Sequence, residues 1–529
     1  MAERLPGRAP GPGMGVIILL LSLSWGTVFG IDHVTGLTRR WTSGTDAMLL
    51  GYSVIGIVFL ILYLLVARLY RTAPASTLLG SARFGDRREV RALEDNQGDL
   101  LIGRSSRSGR LLRYNGPAHL ITIAPTRGGK GVGTIIPNLL TADRSILCID
   151  PKGENARITS EARSRFGPVW CLDPFGVSGC KAASYNPLDA LDPASPDVGD
   201  DAATLADAIV QDEVTGGDNV HWNEEARALI EGLILHACDD PLGRRTLATV
   251  RDFLTRSPEA FIDLIARMQG SSGAHGLVAR AANRFAGKSD REASGVLSAA
   301  QRHTHFLDSP RIAASVSGSD FAFADLKHDV GTVFVCLPPD RIDAYSRWMR
   351  LIVAQALAEL ARSTTATSRP VLFLLDEFAA LGRLEPVARA MGLMAGYGVQ
   401  LWPILQDVHQ LRHLYARRAG TFLANAGVLQ AFGVNDHDTA EMLSKMMGQE
   451  TIEYVTQGSS VTRGHSILEP DTRGESTSEH VAPRNLLNPD EIMRLPGDRQ
   501  LLLMQGQAPL VTGRIRYYAD AEFAGLFTK

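Results

Sequence analysis

The pentapeptide Val371-Leu-Phe-Leu-Leu375, apolar throughout and closed by Asp376 and Glu377, constrains this chain more than any other feature. A strand with one wet face alternates apolar and polar residues. A strand apolar at every position must be covered on both faces, as in a parallel sheet with helices above and below. Short runs of the same kind recur at His119–Ala124, Ser145–Asp150, Val169–Leu172, Gly331–Leu337, Gln400–Leu405 and Val428–Phe432, with helical patterns between them, including a long one from about Trp348 to Ala361. This alternation predicts an α/β fold built on a parallel sheet. It breaks between about Asp197 and Ser319, where apolar residues recur at helical spacing, as at Ala226, Leu229, Ile230, Leu233 and Ile234; an all-helical insert is expected there. Arg68 to Arg110 reads as a basic linker, and the Ser-, Thr- and Gly-rich stretch Gln457 to His480 as a mobile loop.

At 529 residues the chain exceeds one compact core, and roughly 150 residues per domain suggests three or four units. A hydrophobic fraction of 45% against 21% charged supplies enough apolar surface for sizeable cores and excludes wholesale disorder. The net charge of -3 excludes a global basic field, so any nucleic-acid contact has to be local. Cys148, Cys171, Cys180, Cys238 and Cys336 are scattered without CxxC spacing and read as reduced, cytosolic residues.

Ala47 to Ala67 contains no charge, and a helix of that length matches a hydrocarbon core roughly 30 Å thick. Met14 to Ile31 is a second uncharged run, readable as another span or as a cleaved signal peptide behind Arg4 and Arg8. Arg68, Arg71, Arg83 and Arg87 follow the second run, whereas the intervening loop holds only Arg39 and Arg40. The positive-inside rule therefore leaves the bulk of the chain cytoplasmic under either reading.

Ala124-Pro-Thr-Arg-Gly-Gly-Lys-Gly-Val-Gly133 follows one of the strand runs and precedes an apolar helical run. Glycines let backbone N–H groups turn onto phosphate oxygens, the helix N-terminus adds partial positive charge, and Lys130 brings a full charge to the β- and γ-phosphates. Pro125, Thr126, Arg127, Gly128, Gly129, Lys130, Gly131 and Val132 are the candidate nucleotide-binding residues. The motif departs from GxxxxGK[ST] at Ala124 and at Gly131, which lacks the hydroxyl that normally reaches magnesium; Thr134 lies too far along to replace it.

Successive residues at a strand end point in different directions, so Asp376 can face a magnesium ion while Glu377, in the turn, faces the γ-phosphate. Asp376 is the candidate metal residue and Glu377 the candidate base that polarises the attacking water. Gln406, ending the run Leu401–Leu405, is placed to sense the γ-phosphate. Helix capping alone is the competing reading of the acid pair, and only convergence of Lys130, Asp376 and Glu377 around one nucleotide makes a hydrolase of it.

Taken together, these residues resemble the TraG-like coupling proteins of type IV secretion and conjugation, relatives of RecA-like and FtsK-like ring motors. The resemblance is carried by Pro125–Gly133 with Ile136-Pro-Asn-Leu139, Ile149–Asn155, Leu172-Asp-Pro-Phe175, Asn186-Pro-Leu188, Leu375-Asp-Glu-Phe378, Leu405-Gln-Asp407, Gly506-Gln507 and Tyr517-Tyr-Ala-Asp520. It implies an anchor of two transmembrane helices over 1–70 (about 14–31 and 47–67), a RecA-like P-loop nucleotide-binding domain over 71–196 and 320–529, and an all-α inserted domain over 197–319 at the mouth of a homo-hexameric ring. It further implies ATP and Mg2+ as cofactors, Asp150 and Lys152 near the nucleotide, and a bacterial inner-membrane location with a large cytoplasmic domain. The implied partners are DNA, a relaxase–DNA complex or effector protein, and the secretion channel.

A non-motor docking receptor for protein cargo is the alternative from another class, while a small-molecule kinase would need neither the apolar runs near the N-terminus nor the acid pair. Arg389 is a candidate for the arginine a ring motor lends to its neighbour, against its reading as a solvated helix residue. His221 with Glu224 and Glu225, and His303 with His305, lack a third metal ligand at useful spacing.

Overall fold

The structure, a computed structural model, describes residues 57–58, 60–62, 77–210, 219–239, 243–462 and 472–528. Both candidate membrane spans therefore lie outside the described residues, apart from five positions of the second. Among the described residues no helix is long and apolar enough to cross a membrane.

The larger compact unit, Ala82–Glu450 with Asn485–Lys529, is organised by one sheet. Its strands begin with β1 (Leu100–Arg104), β2 (Leu111–Tyr114), β3 (His119–Ile123), β4 (Ile146–Asp150), β5 (Val169–Leu172) and β6 (Thr332–Cys336). They continue with β7 (Val371–Leu375), β8 (Val399–Leu405) and β9 (Ala426–Ala431). Last in this unit come β12 (Arg499–Met504) and β13 (Leu510–Gly513), whereas β10 (Gln449–Thr462) and β11 (Thr472–Asn485), which pair only with each other, belong mainly to the smaller unit. The 11-stranded sheet has the order β2-β1-β13-β12-β9-β3-β8-β7-β4-β6-β5. From β9 to β5 every pairing is parallel.

Burial of both faces is complete where the apolar runs demanded it. All five residues of β4, of β6 and of β7 are buried, and alternate residues serve opposite layers: Leu147 and Ile149 join one core cluster, Ile146 and Cys148 the other. Each such aliphatic side chain contributes roughly 1.5–3 kcal/mol by leaving water. Cys148, Cys171 and Cys336 are buried strand residues, and burial pushes their thiols above the ordinary range.

Between β5 and β6 the described residues form helices and no strand, from Val198–Ile209 through Asn219–Cys238 to Pro310–Ser315. Ala226, Leu229, Ile230, Leu233 and Ile234 line the buried side of Asn219–Cys238, and Ser257 and Ser289 cap two of the later helices with their hydroxyls.

The structure corrects three expectations. The sheet is not purely parallel: β12, β13, β1 and β2 extend it by antiparallel pairing. The stretch read as a linker enters this extension, with a helix at Arg87–Glu94, closed by an Asp86/Glu89 capping box, leading into β1. The stretch read as a mobile loop belongs largely to the paired strands β10 and β11, whose backbone bonds need no apolar alternation. Across that ribbon Tyr454 stacks on His480, ring centroids 5.3 Å apart.

Candidate functional site

The sheet order puts β3, β8, β7 and β4 side by side, so the loops leaving their carboxyl ends share one edge. β3 continues to β4 across two intervening strands, and such a reversal opens a crevice at the strand ends.

The loop after β3 turns tightly. Gly128 N–H donates to Pro125 O at 2.9 Å, and Arg127 (φ 61) and Gly129 (φ 83) adopt left-handed conformations. The helix that follows opens with a π turn, Gly131–Ile135, in which Ile136 N–H reaches back to Gly131 O. Pro137 explains it: the ring has no N–H for Gly133 O and would clash with that carbonyl in a regular α turn, so the helix widens. Asn138 fastens this helix to β1, accepting from Leu101 N–H at 2.7 Å and donating to Leu101 O at 2.9 Å. The buried Arg163 guanidinium donates to Ala142 O and to Leu139 O (3.4 Å) at the helix C-terminus. Thr134 is buried and donates to Gln430 Oε1 at 3.0 Å, so its hydroxyl is not available to a ligand. Gly131 is the reverse case: a Cβ there would meet nothing within 4 Å.

Lys130 Nζ lies 2.7 Å from Glu377 Oε1 and 3.6 Å from Asp376 Oδ1. Gln406 Nε2 donates to Glu377 Oε2 at 3.0 Å, and its backbone N–H is held by Gln410 Oε1 at 2.9 Å. Glu377 itself is left-handed (φ 48, ψ 44), a conformation costing a non-glycine residue on the order of 1 kcal/mol. The turn is fixed from below. Asp376 Oδ1 accepts Glu377 N–H at 2.9 Å, Arg350 donates to Leu381 O and Arg383 O, and Phe378 packs with Tyr415 and Phe422.

Burial pushes the Asp376 carboxyl above its usual range, although the Lys130 charge opposes the shift. Burial alone would also raise Glu377, but the hydrogen bond and charge of Lys130 together with the Gln406 bond hold it below the usual range. Asp150 is raised to about 6, by burial first and by the Asp376 charge, against the bonds it accepts from backbone N–H groups. Its Oδ2 caps the next helix, accepting Ala156 N–H at 2.8 Å. Lys152 is exposed, and its charge reaches Glu377 without contact.

Residues 86–527 match the family model described as type IV secretory system conjugative DNA transfer. The chain belongs to this family of TraG-like type IV secretion coupling proteins. The conjugal transfer protein TraG of Escherichia coli is 31% identical over 468 residues, covering 80% of this chain and 72% of that protein. The type IV secretion system-coupling protein VirD4 of Bartonella henselae is 27% identical over 451 residues, covering 83% and 69%. Among solved structures, the plasmid coupling protein TrwB in complex with the non-hydrolysable ATP analogue ADPNP superposes with a TM-score of 0.63 at 17% identity, covering 84% of this chain and 95% of that one. TrwB in complex with ADP and Mg2+ gives 0.62 at 17% identity, covering 84% and 96%.

In this coupling protein the structure brings Lys130, Asp376, Glu377 and Gln406 together, with Asp150 engaged by backbone and Lys152 at the rim. Arg389 is an exposed residue of the helix Glu385–Leu393. His303 bonds Asn223 and His305 bonds Asp308, and the described residues contain no cluster fit for a metal ion. Sequence reasoning missed Gln410, Phe432 and Arg514. Gln410 follows the Gln-Asp pair by one helical turn, a usable signal; Arg514 arrives from the far end of the chain with none.

Proposed function

We propose that this coupling protein is a membrane-anchored ATPase that uses hydrolysis to pass DNA, or a DNA–protein complex, to a type IV secretion channel. The observation that carries the reading is the meeting of Lys130, Asp376, Glu377 and Gln406 at the ends of three adjacent parallel strands. TrwB, which shares the fold, binds an ATP analogue and binds ADP with Mg2+.

The residues present fit such a ligand. Positive charge on Lys130 and the N–H groups of Gly129 to Val132 suit the phosphates, and Arg127 and Thr126 stand exposed at the loop's tip with Pro125 behind them. Magnesium, when bound, would neutralise phosphate charge, and Asp376 is the carboxylate that would hold it. Lys130 holds the Glu377 carboxyl below the usual range while the two are paired; once Lys130 turns to the phosphates, Glu377 is free to take the proton of the attacking water. Gln406 bonds Glu377 and so ties the base to the end of β8, a route by which phosphate occupancy is sensed.

The anchor is supported by Ile57, Val58, Leu60, Ile61 and Leu62. These helical positions are all large and apolar and each is 51–57% exposed, which suits lipid better than water. On this reading the helical stretch 197–319 is an inserted domain facing the cargo, six copies form the working ring, and the inner membrane is the site of action.

Turnover of ATP by the chain from about Arg71 onward, with and without single-stranded DNA, tests the motor. Absence of turnover in every assembly state sinks it. Cargo transport that survives Lys130→Ala would favour a docking receptor instead.

A further inference from the structure

β13 pairs with β12, with Arg499 opposite Gly513, and releases the chain at Arg514 beside the loop after β3. One terminal nitrogen of Arg514 donates to Gly128 O, and the other donates to Gly497 O at 2.8 Å. The guanidinium lies over the Phe432 ring, 4.1 Å from its centroid, and Phe432 is itself held to β3 by its N–H on Ile123 O at 3.2 Å. Nε of Arg514 is buried without a partner. A Cβ on Gly129 would sit 2.5 Å from the guanidinium, and one on Gly133 would sit 3.1 Å from Ile515 O. The chain at Arg514 and Ile515 therefore packs along the back of the loop from Gly128 to Gly133.

In a planar trans peptide the C=O and the following N–H point in opposite directions. Holding Gly128 O outward on Arg514 turns Gly129 N–H inward, to the side on which the loop cups its ligand. Both bonded partners of the guanidinium are carbonyl oxygens, so no contact carboxylate cancels its charge behind the loop.

We propose that Arg514 is a positioning residue for the phosphate loop: it clamps the Gly128–Gly129 peptide in the phosphate-binding orientation and adds positive potential behind it. The proposal rests on the nucleotide reading above. It makes the last strand of the chain part of the nucleotide site, although Arg514 touches no reacting atom.

The test compares the full-length chain, wild type, with Arg514→Ala, Arg514→Lys and Phe432→Leu, measuring ATP affinity, KM and kcat together with the thermal unfolding midpoint. Arg514→Ala is expected to weaken affinity and raise KM by about tenfold or more, the worth of one charge-assisted hydrogen bond. Its kcat at saturation stays within about threefold, because the reacting groups are untouched. Arg514→Lys recovers part of the affinity, and Phe432→Leu falls between. Wild-type KM in Arg514→Ala overturns the clamp. So does a loss of kcat with KM unchanged. If Arg514→Ala fails to fold, wild-type KM in both Arg514→Lys and Phe432→Leu overturns it. A wild-type protein that binds no ATP sinks the nucleotide reading and the clamp with it, whereas an active wild type with unaltered variants sinks the clamp alone.

Discussion

Lys130 Nζ and Glu377 Oε1 lie 2.7 Å apart although 247 positions separate the two residues in the chain. On the proposed reading the same ammonium serves the phosphates, so Glu377 would compete with ATP for it, and ATP binding would free the base for hydrolysis. Substituting Glu377→Gln removes the competing charge. ATP is expected to bind about two- to fivefold more tightly, the range of a partly exposed ion pair, while turnover falls by about 10²–10⁴-fold. Equilibrium titration and single-turnover assays check both halves; weaker binding in the variant would mean that the pair does not oppose the ligand.

Gly131 leaves open space where a consensus loop carries a hydroxyl. Gly131→Ser should fold as well as wild type or gain about 0.5 kcal/mol from helix propensity, and should lower the Mg2+ concentration needed for half-maximal turnover. A magnesium titration of the ATPase rate decides it, and an unchanged midpoint would place the metal elsewhere.

Asp150 binds its proton more tightly in the folded chain, at about 6, than its ordinary value of 3.8. The native state thus holds more protons than the unfolded state between those values. Stability contributed by the protonated group is lost as pH rises through about 6, a change on the order of 2–3 kcal/mol. Asp150→Asn, which can still accept Ala156 N–H, should be more stable than wild type near pH 7.5, with the advantage shrinking as pH falls toward about 4. Urea unfolding without nucleotide across that range measures the difference, and a constant offset would contradict the assignment.

Asn138 satisfies both backbone groups of Leu101 in the core. Asn138→Ala leaves that donor and acceptor buried and unpaired, at a cost of about 2–4 kcal/mol. It also loosens the helix behind Lys130, so ATP affinity should drop alongside the unfolding midpoint. Loss of stability with unchanged affinity would show that the loop does not depend on this anchor.

The parallel strands were legible because burial on both faces leaves a local signature: β4, β6 and β7 are apolar at nearly every position. Lys130, the acid pair and Gln406 were legible because each directly follows such a strand or its loop. β1, β2, β12 and β13 escaped notice, since short strands partnered in antiparallel fashion carry Arg, Gln and Gly as readily as leucine. β10 and β11 escaped for a related reason: an exposed ribbon is held by backbone bonds that composition does not display.

Local pattern therefore settled which segments form the buried parallel strands and which residue types stand at their carboxyl ends. Chain order could not say that β3 neighbours β8 and β9 instead of β4, nor that Arg514 closes on a loop 386 residues earlier. Those relations depend on how the strands are ordered across the sheet, and strand order follows from the packing of whole layers, a property no short window of residues contains.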